Sequence, residues 1–597
     1  MFRGLKHIAI FVSGAAALWP IPSTYSNGSK VLWIDNDVQI SYNGVVQVAS
    51  FQSQRSTLFQ NLNTLLQQLT GYDTQGLNLS SSSATIIKTA IETTTKTLFD
   101  EQFVPWMFHP RFSDYEPSSG NASKTIIKSI ALRQNGSDPV NVFKPLDGSV
   151  DESYTLSVSD NGTVVIAGSS SLGLAHGLKT FTQLFYKHSD GSIYTPLAPV
   201  EVRDAPKFAH RGLNMDVARS WYEPEDIKKM IDALSYNKFN RLHIHITDSQ
   251  SWPLEIPALP GLAEKGAFGK GKTYSPSTLA SIQAYGSARG VETVLEIDAP
   301  GHTASIAYSY PELISAFNIL PDWSTYAAEP PTGTLKLNSS AVGSFVDTLF
   351  EDLLPRISPY SAYFHTGGDE VNANAYNLDD TVGTNDTAVL QPLIQAYVDR
   401  AHKHVRAAGL TPIVWEEMLL IWNLTLGSDV IVQTWQSDEA VTQTVSQGHK
   451  ALAGNYNYWY LDCGKGQWLD FSPGTSSESY YPYADYCAPV HNWRVMYAYD
   501  PLEGVPANLT HLVLGGETHI WSEQTDPANI DRMVWPRACA AGEVLWSGAK
   551  DASGQNRSQV TASPRLADMR ERLVKKGIMA EPVHMVFCTM NGTQCAL

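Results

Sequence analysis

From residue 205 onwards, short apolar runs alternate with polar loops and amphipathic helical stretches. The apolar runs have the length and composition of buried parallel strands. Eight of them are predicted as strands, at residues 209–216, 240–247, 291–297, 362–367, 412–415, 430–435, 451–460 and 512–523. Helices are predicted between most of them, for example at 224–236, 277–289, 387–408 and 529–546. Eight strands that alternate with helices predict a fold of the α/β class, a (β/α)8 TIM barrel.

The pattern before residue 205 is different. β-type runs at 31–40, 125–132, 154–158 and 164–167 surround two helical stretches, at 84–99 and 172–185. This predicts a smaller α+β domain over residues 19–204, followed by a catalytic barrel with a C-terminal helix and tail over 205–597. The Ser/Thr-rich region at 80–97 fits a surface helix or a processed segment, and the sequence does not choose between them.

The first 18 residues predict a secretory signal peptide. Arg3 and Lys6 precede an apolar run at 8–19, and that run carries three consecutive alanines at 15–17. A buried N-terminal helix is the alternative interpretation. No other stretch approaches the roughly 18 apolar residues that are needed to span a bilayer. The sequence therefore predicts a secreted, extracellular protein that is not a membrane protein.

Composition and charge narrow the range of partners. Apolar residues make up 43% of the 597 positions and charged residues 17%, which is typical of a folded chain with a large core. The net charge of -17 repels phosphate backbones and anionic lipid surfaces, so nucleic acid and membranes are not expected partners. The 15 Trp and 27 Tyr suit stacking against sugar rings, but they suit an ordinary large core equally well.

Sequons and cysteines agree with secretion. Cys588 and Cys595 flank a short loop, and Cys463 and Cys487 bracket a Gly/Ser/Tyr-rich loop, so two local disulfides are expected. Cys539 is left over, and its Ala-rich helical surroundings predict a buried free thiol. Eleven Asn-x-Ser/Thr sequons are candidate glycosylation sites: Asn27, Asn78, Asn121, Asn135, Asn161, Asn338, Asn385, Asn423, Asn508, Asn556 and Asn591.

Polar and aromatic residues recur where the predicted strands end, which is where a barrel of this type builds its active site. A lone Trp or Asp at such a position would be an ordinary core or surface residue. The coincidence of eight such positions instead predicts a pocket for one polyhydroxylated ring. Its candidate members are Arg211, Asp216, Asp248, Asp298, His302, Asp369, Glu370, Trp415, Glu416, Trp435, Tyr460, Asp462, Trp521 and Glu523.

Two alternative functions also fit parts of the sequence. His243 and His245 resemble the H-x-H pair of zinc amidohydrolases, because alternate residues of a strand share a face. A zinc site would need further His or Lys at the later strand ends, and those ends carry carboxylates and aromatic residues instead. The second alternative is an inactive sugar-binding protein on the same scaffold. Retention of Asp369, Glu370 and Tyr460 together argues against it.

The motifs resemble those of family 20 glycoside hydrolases, the β-N-acetylhexosaminidases. The segment at 365–371, His-Thr-Gly-Gly-Asp-Glu-Val, is similar to the family's H-x-G-G-D-E signature. Further matching segments stand in the family's order at 210–219, 243–252, 296–302, 460–462 and 515–523. The resemblance covers residues 205–550, and the preceding α+β domain is also what the family carries. The cysteine layout is similar to that of fungal members.

The resemblance implies a division of labour between two neighbouring carboxyls. Asp369 and Glu370 have Cα atoms only about 3.8 Å apart, and on a regular strand their side chains would diverge. They are therefore poorly placed as acid and nucleophile across one bond, for which retaining glycosidases use carboxyls about 5 to 5.5 Å apart. In the family the substrate's own 2-acetamido oxygen attacks C1 and forms an oxazolinium intermediate. Glu370 would protonate the leaving oxygen, and Asp369 would orient the acetamido group.

The remaining roles also follow from the resemblance. Tyr460 would donate to the acetamido oxygen, Arg211 would bind the 3- and 4-hydroxyls, and Asp462 and Glu523 the 4- and 6-hydroxyls. Trp415, Trp435 and Trp521 would wall the pocket, and Asp248, Asp298 and His302 would support the acid. The implied reaction removes terminal β-linked N-acetylhexosamine from chitooligosaccharides or glycans, with retention and without metal or cofactor. The choice between GlcNAc and GalNAc, and a homodimer, are left open.

Overall fold

A computed structural model describes residues 18–47, 82–120, 124–470 and 483–595. The predicted signal peptide lies outside these residues except for Leu18, which is buried among residues of the N-terminal core. Within the described residues, no helix is both long and apolar enough to cross a membrane.

The first unit is a seven-stranded sheet of mixed direction, in the order β2-β1-β3-β5-β4-β7-β6. Its long first strand pairs with β7 along its first half and with β3 along its second half. The strands are β1 (Thr24–Tyr42), β2 (Val45–Gln47), β3 (Ile126–Gln134), β4 (Tyr154–Val158), β5 (Val164–Gly168), β6 (Tyr186–Lys187) and β7 (Ile193–Asp204). The strands at 186–187 and 193–204 were not expected from the sequence.

Two helices, Ser82–Phe99 and Ser171–Thr182, pack beside this sheet. The first buries Ile87, Ile91 and Leu98, which recur at helical spacing along one side. The described part of the Ser/Thr-rich region is therefore a helix that contributes to the core. The second helix begins after Ser170, whose hydroxyl accepts a hydrogen bond from the Gly173 backbone N–H.

The second unit is a closed barrel of eight parallel strands, so the predicted TIM barrel is confirmed. Each of the eight predicted runs contains one strand or overlaps it. The strands are β8 (His210–Asp216), β9 (Arg241–His245), β10 (Glu292–Glu296), β13 (Tyr363–His365), β14 (Thr411–Trp415), β15 (Ile431–Thr434), β16 (Lys450–Ala453) and β17 (Val513–Ile520). A two-stranded ribbon, β11 (Ile314–Ser315) with β12 (Thr334–Leu335), stands in the connection after β10.

Helices lie in most of the connections between the barrel strands and after the last strand. They span Pro224–Tyr236, Gly261–Gly266, Pro276–Ser287, Ser340–Ile357, Thr387–Ala407, Glu417–Leu420, Ala440–Ser446, Tyr456–Trp459, Trp493–Ala498, Ile530–Val534, Arg537–Ser547, Gln559–Lys575 and Val586–Met590. One helix predicted at 529–546 is in fact two helices, because Pro536 supplies no N–H for a continuous hydrogen-bond ladder. The strand predicted at 451–460 ends at Ala453, and a short helix at Tyr456–Trp459 follows.

Buried ion pairs join the first unit to the amino-terminal end of the barrel. Lys238 Nζ lies 3.0 Å from Asp204 Oδ2, and both side chains are fully buried. Trp19 donates its backbone N–H to Gln183 and its indole N–H to the Cys539 carbonyl, so the start of the described chain packs between the units. Because the first unit occupies this end of the barrel, the carboxyl-terminal strand ends face away from it.

Candidate active site

The loop that follows β13 holds the two central carboxyls. Gly367 and Gly368 have φ angles of +67° and +107°, which favour glycine. A Cβ on Gly367 would lie 1.8 Å from Asp298 Oδ1, and the Gly368 N–H donates to the same oxygen at 2.7 Å. A Cβ on Gly368 would lie 2.6 Å from Met418 Cγ, so neither position has room for a side chain.

Asp369 and Glu370 leave this turn in different surroundings. Asp369 is only 8% exposed, whereas the Glu370 side chain is 33% exposed. Glu370 has a φ of +50°, a strained conformation for a residue other than glycine. The positive φ interrupts strand geometry, so one carboxyl is buried and its neighbour stands at the surface of the pocket.

Asp298 and Asp369 form a buried carboxyl pair. Together with a ring nitrogen of His302 they present polar atoms that all lie within 4.8 Å of one another. Burial and the charge of the neighbouring Asp369 raise the pKa of Asp298 well above its usual range. Burial also raises the pKa of Asp369, although the cationic His302 opposes that shift. We therefore assign the proton of the pair to Asp298 and the negative charge to Asp369.

His302 connects the pair to Glu370. Its Nε2 lies 3.3 Å from Glu370 Oε2 and 3.9 Å from Asp369 Oδ2, and its Nδ1 lies 3.2 Å from Asp248 Oδ1. Burial by itself would lower the pKa of His302, but the carboxylates of Asp248, Asp298 and Asp369 raise it well above the ordinary value. An imidazolium is therefore held directly beside Glu370.

Arg219 is a second cation of the pocket, and it was not among the residues predicted from the sequence. Its guanidinium lies 3.2 Å from Asp216, 3.1 Å from Asp248 and 3.8 Å from Glu523, and it also bonds to Glu329. It sits 5.2 Å from the centre of the Trp521 ring. Glu329 comes from the connection between β10 and β13 and was also missed by the sequence analysis, because nothing in that loop has a strand-like pattern.

The sequence-based prediction for Arg211 requires correction. Arg211 is the second residue of β8 and lies at the amino-terminal end of the barrel, fully buried. Its Nη2 is 2.5 Å from Glu152 Oε2 of the first unit, and its Nε donates to the Lys238 carbonyl at 2.8 Å. Arg211 therefore joins the two units and cannot reach a ligand at the carboxyl-terminal strand ends.

Aromatic side chains line the other side of the pocket. Trp415, Tyr460, Trp521 and the half-buried Trp435 form one cluster with the disulfide between Cys463 and Cys487. The rings of Trp435 and Tyr460 are nearly parallel with centres 6.2 Å apart, and those of Trp415 and Trp521 are also 6.2 Å apart. Such surfaces suit the C–H faces of a sugar ring.

Two half-buried carboxyls, Asp462 and Glu523, stand beside this cluster. Burial raises the pKa of Asp462 to about 7, and its Oδ1 accepts the Trp521 backbone N–H at 3.4 Å. Burial also raises the pKa of Glu523 well above its usual range, although the positive charge of Arg219 opposes that shift.

Two further carboxyls fix the position of Trp435. Glu417, which was not predicted from the sequence, accepts the Trp435 indole N–H at 3.1 Å. Glu416 accepts the Trp435 backbone N–H at 2.8 Å.

The H-x-H pair lies inside the barrel and not in the pocket. His243, Glu296 and His365 offer potential metal-ligand atoms within 4.8 Å of one another, as do Asp298, His302 and Asp369. Both ring nitrogens of His243 already lie within 3.1 Å of Glu296 or Glu517, and both of His245 lie within 2.7 Å of Glu296 or Asp248. Hydrogen bonds therefore account for these histidines.

The predicted disulfides are present, and most of the sequon asparagines in the described residues are exposed. Disulfides join Cys463 to Cys487 and Cys588 to Cys595, and Cys539 is a buried free thiol. Asn78 and Asn121 fall outside the described residues, and Asn591 is half-buried. The other sequon asparagines are exposed: Asn27, Asn135, Asn161, Asn338, Asn385, Asn423, Asn508 and Asn556.

Comparisons with known proteins identify the family of the chain. The model of the family described as "Glycosyl hydrolase family 20, catalytic domain" matches residues 208–549, and one described as "beta-acetyl hexosaminidase like" matches residues 18–184. A β-hexosaminidase of Arthroderma benhamiae is 43% identical over 599 residues and covers 97% of both chains. One from Emericella nidulans is 29% identical over 82% of this chain and 85% of its own.

Solved structures share the fold. A chitobiase of Flavobacterium johnsoniae superimposes with a TM-score of 0.69 at 22% identity, over 95% of this chain and 74% of its own. The GH20 β-N-acetylhexosaminidase of Streptomyces coelicolor gives a TM-score of 0.64 at 20% identity, over 95% of this chain and 97% of its own.

Proposed function

We propose that this chain, which belongs to glycosyl hydrolase family 20, releases single terminal β-linked N-acetylhexosamine residues by a substrate-assisted, retaining mechanism. The chain is an enzyme of the β-N-acetylhexosaminidase class, whose members cleave terminal N-acetylhexosamine. Beyond this class, we propose the mechanism, the preferred sugar and the roles of the residues.

One observation carries the mechanism: adjacent carboxyls occupy different environments in one loop. Asp369 is buried and charged beside the protonated Asp298, while Glu370 stands at the pocket surface beside the His302 imidazolium. A buried anion that faces inward suits an acetamido N–H and the positive charge that develops on the acetamido group. A more exposed carboxyl suits proton transfer to a leaving oxygen. In this arrangement the acetamido oxygen is the nucleophile, and no second protein carboxylate has to flank C1.

Each step of the proposed reaction can be assigned to a side chain of the pocket. Glu370 protonates the glycosidic oxygen as the acetamido oxygen attacks C1, and the cation of His302 stabilises the Glu370 carboxylate that results. Water then adds to C1 of the oxazolinium ion, and Glu370 takes up its proton. Tyr460 donates to the acetamido oxygen and orients the attack.

The sugar hydroxyls are assigned to the polar side of the pocket. Arg219 replaces Arg211 as the donor to the 3- and 4-hydroxyls, because its guanidinium lies against Trp521 and within 3.8 Å of Glu523. Asp462 and Glu523 take the 4- and 6-hydroxyls, while Trp415, Trp435 and Trp521 cover the C–H faces of the ring. A single ring held in this way fits attack from the non-reducing end of chitooligosaccharides or glycans.

The proposal extends to the location of the protein. Both disulfides, the exposed sequons and the fungal relatives are compatible with secretion. We infer that the mature enzyme acts outside the cell on N-acetylhexosamine-terminated oligosaccharides.

A matched pair of substrates tests the mechanism. The enzyme is expected to hydrolyse p-nitrophenyl N-acetyl-β-D-glucosaminide and to leave the p-nitrophenyl β-D-glucoside, which lacks the acetamido group, nearly untouched. A thiazoline that mimics the oxazoline should inhibit competitively, and Glu370→Gln should lower kcat by about hundredfold or more. Rapid cleavage of the plain glucoside would contradict the assisted mechanism.

A further inference from the structure

The inside of the barrel is unusually polar at the level just below the pocket. TIM barrels usually fill this space with branched aliphatic side chains. Here Glu296, the last residue of β10, stands between His245 of β9 and His365 of β13, with which it is in register. All three side chains are at most 1% exposed. A buried carboxylate therefore replaces the apolar packing expected at this position.

Glu296 contacts both sides of the site above it. One carboxyl oxygen, Oε1, accepts the Trp415 indole N–H at 2.7 Å and lies 3.0 Å from His365 Nδ1. The other, Oε2, lies 2.6 Å from His245 Nδ1 and 3.1 Å from His243 Nε2. Glu296 thus holds one wall of the sugar pocket and three histidines at the same time.

A line of close polar contacts leads from Glu296 to the proposed acid, hydrogen-bonded as far as His302 and closed by an ion pair between His302 and Glu370. His245 Nε2 is 2.7 Å from Asp248 Oδ2, and Asp248 Oδ1 is 3.2 Å from His302 Nδ1. The last distance, from His302 Nε2 to Glu370 Oε2, is 3.3 Å. Imidazoles and carboxylates alternate along this line, so the charge on each group favours the opposite charge on the next.

The burial of these ionised groups is expected to reduce the free energy of unfolding. Ionised groups lose hydration on burial, and well-packed apolar residues in their place are often as stable or more stable. A role of these charges in the reaction would explain why the barrel contains ionised groups here and not apolar residues. Burial by itself would raise the pKa of Glu296, but the neighbouring His365, His245 and His243 hold that pKa well below the usual range, which favours the carboxylate.

We propose that Glu296 is a positioning residue for the reaction: it holds His245 as an imidazolium, which orients Asp248 toward His302 and Glu370, and it fixes the ring of Trp415. The proposal rests on the function proposed above. Glu296 does not touch the substrate, and it acts on the acid and on the pocket wall through these neighbours.

The titratable groups around this line determine how it responds to pH. Around Glu296 they are His243, His245 and His365, with Asp298, Asp369 and His519 slightly farther away. Around His302 they are Asp248, Asp298, Asp369, Glu370 and, at longer range, Glu329. A change of charge at Glu296 or His245 should therefore alter the pH dependence of catalysis, whereas a packing defect alone should not.

The first test compares Glu296→Gln with Glu292→Gln. Both glutamates lie on β10 and both are at most 1% exposed, but Glu292 bonds to Ser361 and Ala362, and burial raises its pKa. With p-nitrophenyl N-acetyl-β-D-glucosaminide, Glu292→Gln should keep kcat/KM within about twofold of the wild type. Glu296→Gln should lower it by at least about tenfold.

The pH profile supplies the readout that packing would not change. The alkaline limb of kcat/KM follows the loss of an essential proton from the free enzyme. Because Glu296→Gln removes a negative charge while Asp248 still favours the charged form of His245, that limb should move to lower pH. One charge acting over about 10 Å at an effective dielectric constant of about 20 shifts a pKa by roughly one unit. His245→Gln removes a positive charge, so the limb should move to higher pH. Glu296→Asp keeps the charge, so its limb should stay near that of the wild type.

Each outcome is decisive. A Glu296→Gln enzyme as active as Glu292→Gln, or two unmoved alkaline limbs, would overturn the proposal. If circular dichroism shows that Glu296→Gln does not fold, the His245→Gln limb decides alone, since a shift to higher pH supports the proposal and an unmoved limb refutes it. A wild-type enzyme that leaves the substrate intact would contradict the proposed function itself, which is a different result.

Discussion

At the scale of single residues, we assign opposite protonation states to the two buried aspartates. Asp298 is surrounded so that its proton is retained, and Asp369 carries the charge beside His302. An amide has the shape of a protonated carboxyl group, so substitution by asparagine distinguishes the two residues directly. It imitates the native state at one position and removes the essential charge at the other.

We therefore expect Asp298→Asn to keep a substantial share of the wild-type kcat, because the amide N–H can still donate to Asp369 and the amide oxygen can still accept from Gly368. Asp369→Asn should lower kcat by about hundredfold or more, because no anion remains to stabilise the acetamido group. Initial rates with p-nitrophenyl N-acetyl-β-D-glucosaminide measure both. The reverse order of the two variants would place the proton on Asp369.

The two arginines show how far a sequence can locate a site residue. Arg211 lies on a strand whose end reaches the pocket, but it is the second residue of that strand and therefore lies at the wrong end of the barrel. Arg219 follows the carboxyl-terminal end of the same strand, so strict use of strand direction would have favoured it. Glu417 directly follows the end of β14 beside Glu416, so the same rule also reaches its position. Glu329 could not be found in this way, because its contacts depend on how a loop folds back over the barrel.

At the scale of elements, the loop after β13 is the part of the site most constrained by its backbone. Gly367 approaches Asp298 more closely than any side chain would allow, and the turn it permits separates Asp369 from Glu370. The apolar patterns predicted all eight barrel strands, because burial on both faces leaves a clear signal. They did not predict this turn, whose conformation depends on tertiary contact with β10.

Gly367→Ala should therefore abolish nearly all activity, since the new methyl group would displace Asp298 or the loop itself. Gly383→Ala is the matched control: Gly383 also has a positive φ, of +68°, but a Cβ there would approach no atom closer than 4.0 Å. Activity assays and melting temperatures of both variants separate the effects. Comparable losses of activity in the two variants would attribute the requirement for Gly367 to backbone strain alone.

At the scale of the whole molecule, the polar interior continues from the pocket to the opposite end of the barrel. Beyond Glu296, His243 Nδ1 lies 2.9 Å from Glu517 Oε2, and Glu517 Oε1 lies 2.7 Å from His210 Nε2. His210 is 3.2 Å from Asp147 of the first unit. The site and the junction between the units are therefore joined by buried charges, and the stability of the fold should respond to pH through them.

The sign of that response follows from the histidines. Glu517 and Glu296 raise the pKa of His243 to about 9, above its ordinary value of about 6.5. A histidine whose pKa is raised on folding contributes stability that is fully present below about pH 6.5 and is lost as the pH rises through about 9. Lys179, whose pKa burial lowers to about 7, acts in the opposite direction. The melting temperature of the wild-type protein therefore reflects the titration of both His243 and Lys179. A comparison of the wild type with a variant is needed to isolate the contribution of His243.

Glu517→Gln provides that comparison, because it removes the carboxylate that His243 shares with His210, another buried histidine whose pKa is raised, and leaves Lys179 unchanged. Below about pH 6.5 the variant should melt several degrees lower than the wild type, since the wild-type protein alone has the charged Glu517–His243 pair. As the pH rises through about 9, the wild type loses the His243 proton and with it this advantage, so the two melting temperatures should converge. Scanning calorimetry between about pH 5.5 and 9.5 measures the difference. A difference that stays constant over this range would mean that His243 is already neutral in the folded protein.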